Sequence, residues 1–454
     1  MRFLVALVVL ALVVAGGAWW WAGRQPGPTV EIREPGGYIG LSTTLELMVE
    51  APGGEFSSVD VAVEQGDQRF EVFALEGQGE ATVRQDSAER IYVIRQIGQR
   101  DLPELEEGPA RIVVRATRPV VYGIRQASTT VEQDVQVRLT PPRLSVVSSF
   151  HFINHGGSEF VVYRATPEDA VSGVRVGDID YPGFPASGAG ITSDPALRVA
   201  FFALVFAQDL KTPIQLFARD PAGNETLAPL DHRVIEVPYN RSRITIDDRF
   251  IERVVPAIAA SSTSEPIPTD DPLEGFLYVN GTMRQNNNDF ISGLAAQTAP
   301  EMLFRGPFQQ LGNSQVEARF ADTRTYLYQG EEVDRQVHLG FDLAVTANVP
   351  IVASQAGVVI HAGDLGIYGN CVIVDHGLGV QSLYAHLSSI EVGVGDRVEK
   401  GGQLGRSGMT GLAGGDHLHF TMLVGGQQVT PVDWWSTQWF QDRVQRKITD
   451  AGGQ

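Results

Sequence analysis

A chain of 454 residues with ordinary apolar content is too long for one core and divides into roughly three domains. Its formal net charge of -19 excludes nucleic acid as the main partner, because no basic stripe is available to neutralise phosphates. The only cysteine, Cys371, excludes an intramolecular disulfide and any cysteine-based zinc site.

Phe3 to Ala22 is an apolar run preceded by Arg2 and ending in Trp19-Trp20-Trp21. That length suits a bilayer span, with the positive charge inside and the aromatic cluster at the far interface. Residues 1–23 are therefore expected to form a transmembrane signal anchor that holds the remaining domains outside the cytoplasm. The alternative is a signal peptide cleaved near Gly16 and Ala18, giving a secreted protein.

After a Pro/Gly-rich linker, residues 29–142 alternate apolar and polar side chains, as in Leu45, Leu47, Val49 and in Val59, Val61, Val63. Short alternating strands between Gly/Pro/Asp turns predict a β-sandwich of immunoglobulin-like size. Pro141-Pro142 marks a boundary, and residues 143–246 read as a second such domain, with the apolar stretch Val199 to Ala207 and a strand from Ile214 to Ala218. The turn Arg219 to Asn224 resembles the strand-end turn of bacterial immunoglobulin-like modules. A spacer and a wall- or partner-binding role are both open for these two domains.

Residues 247–300 change to helical periodicity and are expected to form a connector of three helices. The first is capped by Asp247 or Asp248 and closed by Pro256, the second starts at Asp271-Pro272, and the third covers Phe290 to Ala296. The Asn-x-Thr matches at Asn224 and Asn280 read as chance patterns. From residue 301 to 440 a Gly-punctuated β pattern returns, followed by a polar tail, 441–454, expected to be a short helix with a disordered end.

Two stretches of the last domain carry chemistry. In an extended strand, residues two apart share a face. His417 and His419 then lie opposite Leu418 and Phe420, while His338, Gly340 and Asp342 lie opposite Leu339, Phe341 and Leu343. Two neutral imidazoles and a carboxylate suit a catalytic zinc site with an open position. His386 stands in a third alternating stretch, Leu383 to Leu387, with Tyr384 on the same face. His361 and His376 have no partner at ligand spacing, with His376 read as structural, and Cys371, in the apolar strand Asn370 to Val374, reads as a small core hydrophobe.

The succession His338-x-x-x-Asp342, Tyr384-Ala385-His386-Leu387 and His417-Leu418-His419-Phe420 resembles the lysostaphin/LytM-type zinc endopeptidases, which cut peptide cross-links in peptidoglycan. The resemblance spans about Gly312 to Trp435, supported by Val349 to Ala353, Tyr368-Gly369-Asn370 and Val394 to Val398. It implies that His338, Asp342 and His419 bind Zn2+, and that His386 and His417 stay off the metal as the catalytic pair. Tyr384 would add a hydrogen bond to the oxyanion unless it is a half-buried strand residue. Asp416 stands where the family often has proline, and Thr421 where an acidic residue is common, both expected beside the cleft.

The fold class implied is mostly β: an anchor, two β-sandwich domains, a short helical connector and a C-terminal antiparallel-β lysostaphin-type peptidase domain. The function implied is a zinc-dependent peptidoglycan endopeptidase, attached to the inner membrane with its domains in the periplasm and with envelope proteins as further partners. A non-catalytic regulator that activates another wall hydrolase is the alternative. The connector or the segment Thr323 to Arg335 would be placed to restrain the cleft.

Overall fold

Leu45, Leu47 and Val49 alternate with polar neighbours, and in the computed structural model of the chain all three point inward from strand Thr43–Glu50, fully buried. The structure describes residues 2–51, 53, 56–75, 82–87, 89–120, 123, 125–261, 266–268 and 270–453. Met1 and Gln454, at the outer ends of the expected anchor and tail, and residues 262–265 and 269 of the connector lie outside the described residues. The chain forms two compact units, residues 1–142 with 219–226, and residues 143–218 with 227–454.

In the first unit, helix α1 (Arg2–Ala22) precedes the strands. Phe3, Leu10, Leu12 and Trp20 on it are exposed. Among the described residues no helix is long and apolar enough to cross a membrane, and the side chains of Arg2, Leu4 and Ala22 are not in that set. A four-stranded sheet and a five-stranded sheet follow. The hairpin Gly108–Val120/Arg125–Val137 forms a long antiparallel ladder in the second of these sheets. Leu45, Leu47, Val61, Val93, Ile112 and Val137 from both sheets share one core, so the unit is a β-sandwich.

The second unit is built around an eight-stranded sheet. Its middle strands run Phe341–Ala344, Leu418–Val424, Val380–Leu387 and Asn370–Asp375, each antiparallel to the next. Period-two alternation divides its side chains. Phe341, Leu343, Leu418, Phe420 and Met422 join a large core that also takes in Phe160, Phe201 and Trp434. Cys371, Ile373, Leu383 and Leu423, on the opposite face, pack with the connector helices. His419 and Asp342 fall between residues of the first set, and hence on the face that the connector covers.

The connector differs from expectation in two places, at Pro256 and where the third helix was expected to begin. Helix α2 (Asp248–Ser261) runs through Pro256, because Ile251, Val254, Val255 and Ile258 bury a continuous apolar stripe that outweighs one lost backbone bond. Helix α3 (Pro272–Tyr278) starts at Asp271, whose carboxylate accepts from the Leu273 and Glu274 amides at 2.8 and 3.2 Å. It continues through a π-turn, Val279–Met283, into helix α4 (Arg284–Gly293), with no break where the third helix was expected to begin. The segment Thr323 to Arg335 is a β-hairpin, Asp322–Tyr328 with Glu331–His338, whose first strand pairs in parallel with Arg241–Ile246.

The C-terminal segment is helical to Asp450, and Phe440, Val444 and Ile448, four residues apart, are buried. Composition alone hid that stripe. Buried Lys447 lies 2.9 Å from buried Glu159, and buried Asp433 accepts from Asn154 Nδ2 at 2.8 Å. Burial pushes the Asp433 carboxyl up to about 6. Folding therefore favours its protonated form, a contribution complete below the ordinary carboxylate pKa and lost as pH rises through about 6. Denaturant unfolding of the full chain and of Asp433→Asn should diverge between pH ~4 and ~6, with the wild type losing up to roughly 3 kcal/mol relative to the variant. Parallel pH profiles would show that Asp433 does not carry this dependence.

Candidate metal centre

The site begins with a backbone register. Strand Phe341–Ala344 pairs with Leu418–Val424 so that Asp342 stands directly opposite His419, and cross-strand partners share a face. The third group arrives from another sheet. Strand Glu331–His338 ends at His338, and the chain bends at Leu339-Gly340 before the next strand starts at Phe341. His338 to Asp342 is therefore not one strand, as alternation alone suggested. Gly340 makes the bend fit, because a Cβ there would lie 2.5 Å from His419 Cε1 and Nε2.

The result is a tight cluster. His338 Nε2, Asp342 Oδ1 and His419 Nδ1 are mutually 3.0 Å apart, and all three residues are buried. His338 Nδ1 donates to the Arg319 carbonyl at 3.0 Å, which leaves the Nε2 lone pair aimed at the other two. Burial pushes the His419 imidazole down to about 4, so it too is a neutral donor atom. Burial alone would raise the Asp342 carboxyl, but its contacts with His338, His417 and His419 hold it well below the usual carboxylate range. Lone pairs converging this closely around a carboxylate repel one another unless a cation sits among them. Among the described residues this is the group placed to hold a metal ion, and two nitrogens with one oxygen suit zinc.

His386 and His417 flank the cluster, their ring centroids 4.8 Å apart. His386, next to last in strand Val380–Leu387, has a left-handed backbone, φ +62°, which swings its ring out of the strand's alternation. Its Nδ1 donates to the Thr410 carbonyl at 2.8 Å, leaving Nε2 as acceptor, and burial keeps the ring neutral. His417 Nδ1 donates to the Gly415 carbonyl at 2.9 Å, while Nε2 lies 3.4 Å from Asp342 Oδ1. Burial opposes charge on His417, but that carboxylate outweighs it and raises the imidazole.

That twist carries His386 to the cleft face, while Tyr384 keeps the regular register opposite Phe420 and stays on the core face. Its hydroxyl is buried between the Ser354 amide (2.7 Å) and Ser382 Oγ (3.0 Å), so it cannot meet an oxyanion. Thr421 is likewise buried, near the Val429 carbonyl, away from the cavity. Asp416 braces the loop in front of His417, accepting from Ser407 Oγ at 2.6 Å and the Asn348 amide at 3.0 Å. His376 is a core histidine bonded to the Ala356 carbonyl and Ser382.

The cavity over the cluster is about 110 Å³. Beyond the five predicted residues its lining includes Arg324, Arg284, Asn288 and Tyr368, none of which the sequence marked as a site residue. Arg324 Nη2 donates to Asp342 Oδ2 at 2.9 Å, fixing which carboxylate oxygen faces the two histidines.

Residues 336–431, which contain all five predicted site residues, match peptidase family M23. The chain carries a peptidase family M23 domain at its C-terminus. It is similar to the DD-carboxypeptidase/endopeptidase Mpg of Neisseria meningitidis serogroup B, 41% identical over 97 residues, covering 21% of this chain and 22% of that relative. It is also similar to the peptidoglycan DD-endopeptidase ShyA of Vibrio cholerae, 38% identical over 92 residues, covering 20% of this chain and 21% of that one. The chain thus spans about a fifth of the length of these curated relatives. A crystal structure of a peptidase M23 from Pseudomonas aeruginosa aligns with 62% of this chain and 94% of that one, at 20% identity and a TM-score of 0.38.

Arg324→Ala should weaken metal binding about 10–100-fold, the usual cost of losing a group that orients a ligand. Competition with a fluorescent zinc chelator measures it, with Arg324→Lys restoring part of the affinity. Unchanged affinity in Arg324→Ala would reduce the arginine to a packing role.

Proposed function

We propose that the chain is a zinc-dependent endopeptidase that hydrolyses peptide bonds in peptidoglycan stems or cross-links, with His338, Asp342 and His419 as the metal ligands. The observation that carries this reading is the meeting of two imidazole nitrogens and one carboxylate oxygen at 3.0 Å, beside two histidines outside the ligand set. The names of the two curated relatives support the substrate class. Bound zinc supplies a Lewis acid that polarises a scissile carbonyl and acidifies water.

The chain's own residues divide the remaining work. His386, held neutral with Nε2 unprotonated, accepts the proton of the attacking water. His417, with Nδ1–H fixed on Gly415, presents Nε2 toward the reacting centre, where its proton stabilises the oxyanion and then passes to the leaving amine. Arg324 keeps Asp342 oriented. The buried walls limit the water that competes for these protons. We further assign α1 to the inner membrane, with the remaining domains in the periplasm and the β-rich segments 29–142 and 143–246 as spacers. The apolar run Phe3 to Ala22 and the preceding Arg2 support that placement.

The purified chain should release peptides from isolated peptidoglycan sacculi, lose that activity to a chelator and regain it with zinc. His386→Ala should lower kcat by about 10²-fold or more while metal content stays at one ion per chain. Mass spectrometry of the released peptides identifies the bond. Intact sacculi after incubation with zinc-loaded wild type would refute the enzyme reading.

A further inference from the structure

The connector does more than cover the sheet. Arg284 and Asn288, one turn apart on α4, line the same cavity as His338, Asp342 and His419, although both lie outside the residues matched to family M23. Two arginines therefore face this cavity, and they differ in one respect. Arg324 is neutralised, with Asp342 at 2.9 Å and Asp322 at 3.7 Å. Arg284 has no carboxylate partner among the described residues. Its Nε donates to the Asn280 carbonyl at 2.9 Å and its Nη2 to Asn280 Oδ1 at 2.6 Å, both uncharged acceptors.

Those contacts fix the guanidinium in place. Asn280 is fully buried in the π-turn, and its Nδ2 donates to Asp334 Oδ2 at 2.7 Å. The carboxylate of Asp334 thereby sets which way the Asn280 amide points, so that Oδ1 faces Arg284. The asparagine of a chance Asn-x-Thr match is thus the clamp that holds a cation at the cavity wall. Asn288 Oδ1 is occupied by the Tyr368 hydroxyl (3.0 Å) and Gln428 Nε2 (2.9 Å), and Tyr368 in turn lies edge-on to His419, with ring centroids 5.5 Å apart. A rigid helix therefore carries an unneutralised guanidinium next to the metal ligands, in a chain whose formal charge is -19. A planar, permanently charged fork whose Nη1 donates to no group among the described residues is built to take a carboxylate.

We propose that Arg284 is a specificity-determining residue that binds a free carboxylate of the substrate close to the scissile amide. This rests on the peptidase reading of the same site. It defines the substrate as an anionic peptide, one in which the residue beside the cut bond keeps its α-carboxylate free, and it makes the helical connector part of the substrate cleft.

The probes are a synthetic cross-linked peptide with that carboxylate free and the same peptide with it converted to a carboxamide. Binding is measured by calorimetry on the zinc-loaded full chain carrying His386→Ala, which suppresses turnover, and cleavage is measured with His386 intact. The free acid should bind about 10-fold more tightly than the carboxamide, a size typical of one charge-assisted contact. Arg284→Gln should reduce that preference to about 2-fold or less without changing carboxamide affinity or zinc content, and Arg284→Lys should keep part of it. The proposal is overturned if Arg284→Gln keeps the full preference, or if it weakens both peptides equally. A preference that depends on Arg284 with neither peptide cleaved would uphold the carboxylate site and refute the peptidase reading.

Discussion

Everything in the site depends on one backbone register, the pairing of Asp342 with His419 across two antiparallel strands. It puts a carboxylate and an imidazole on one face of the sheet and commits Phe341, Leu343, Leu418 and Phe420 to the core on the other. A slip of one residue would turn every one of these side chains over, burying the donors and exposing the apolar residues. The core therefore enforces the geometry of the cluster. His338 is the one donor that register does not supply, and the bend at Gly340 delivers it from a separate sheet.

That face of the sheet would be open without the connector. Ile251, Val254, Val255 and Phe276 cover its apolar part, while Arg284 and Asn288 reach its polar part. Arg253 of α2 donates to the Ala413 carbonyl at 3.1 Å, in the loop that precedes His417. Cleft and connector are thus one construction. The hairpin Asp322–Tyr328/Glu331–His338 adds Arg324 and ends on His338, so it builds part of the site.

Much of the centre was readable from residue order because strand alternation is short-range and strict. His417 to Phe420 and Phe341 to Leu343 follow period two, and the faces they predict are the faces they occupy. Bends and left-handed residues leave no such mark. Leu339-Gly340 continues the alternation on paper while the chain turns, and His386 is not a residue type that advertises φ +62°, so Tyr384 was assigned to the wrong side. Arg324, Arg284 and Asn280 act through contacts between segments far apart in the chain, which no local pattern records. Pro256 and the buried stripe Phe440, Val444, Ile448 show tertiary packing overriding a local stop signal and a polar composition.

In the proposed site three specific atoms hold one metal ion while His386 and His417 stay off it. Crystals of the zinc-loaded chain, with diffraction collected on both sides of the zinc absorption edge, test this most directly. A single anomalous peak is expected within about 2.0–2.2 Å of His338 Nε2, Asp342 Oδ1 and His419 Nδ1, with neither other histidine in contact. A peak bonded to His386 or His417, or none at the cluster, would contradict it.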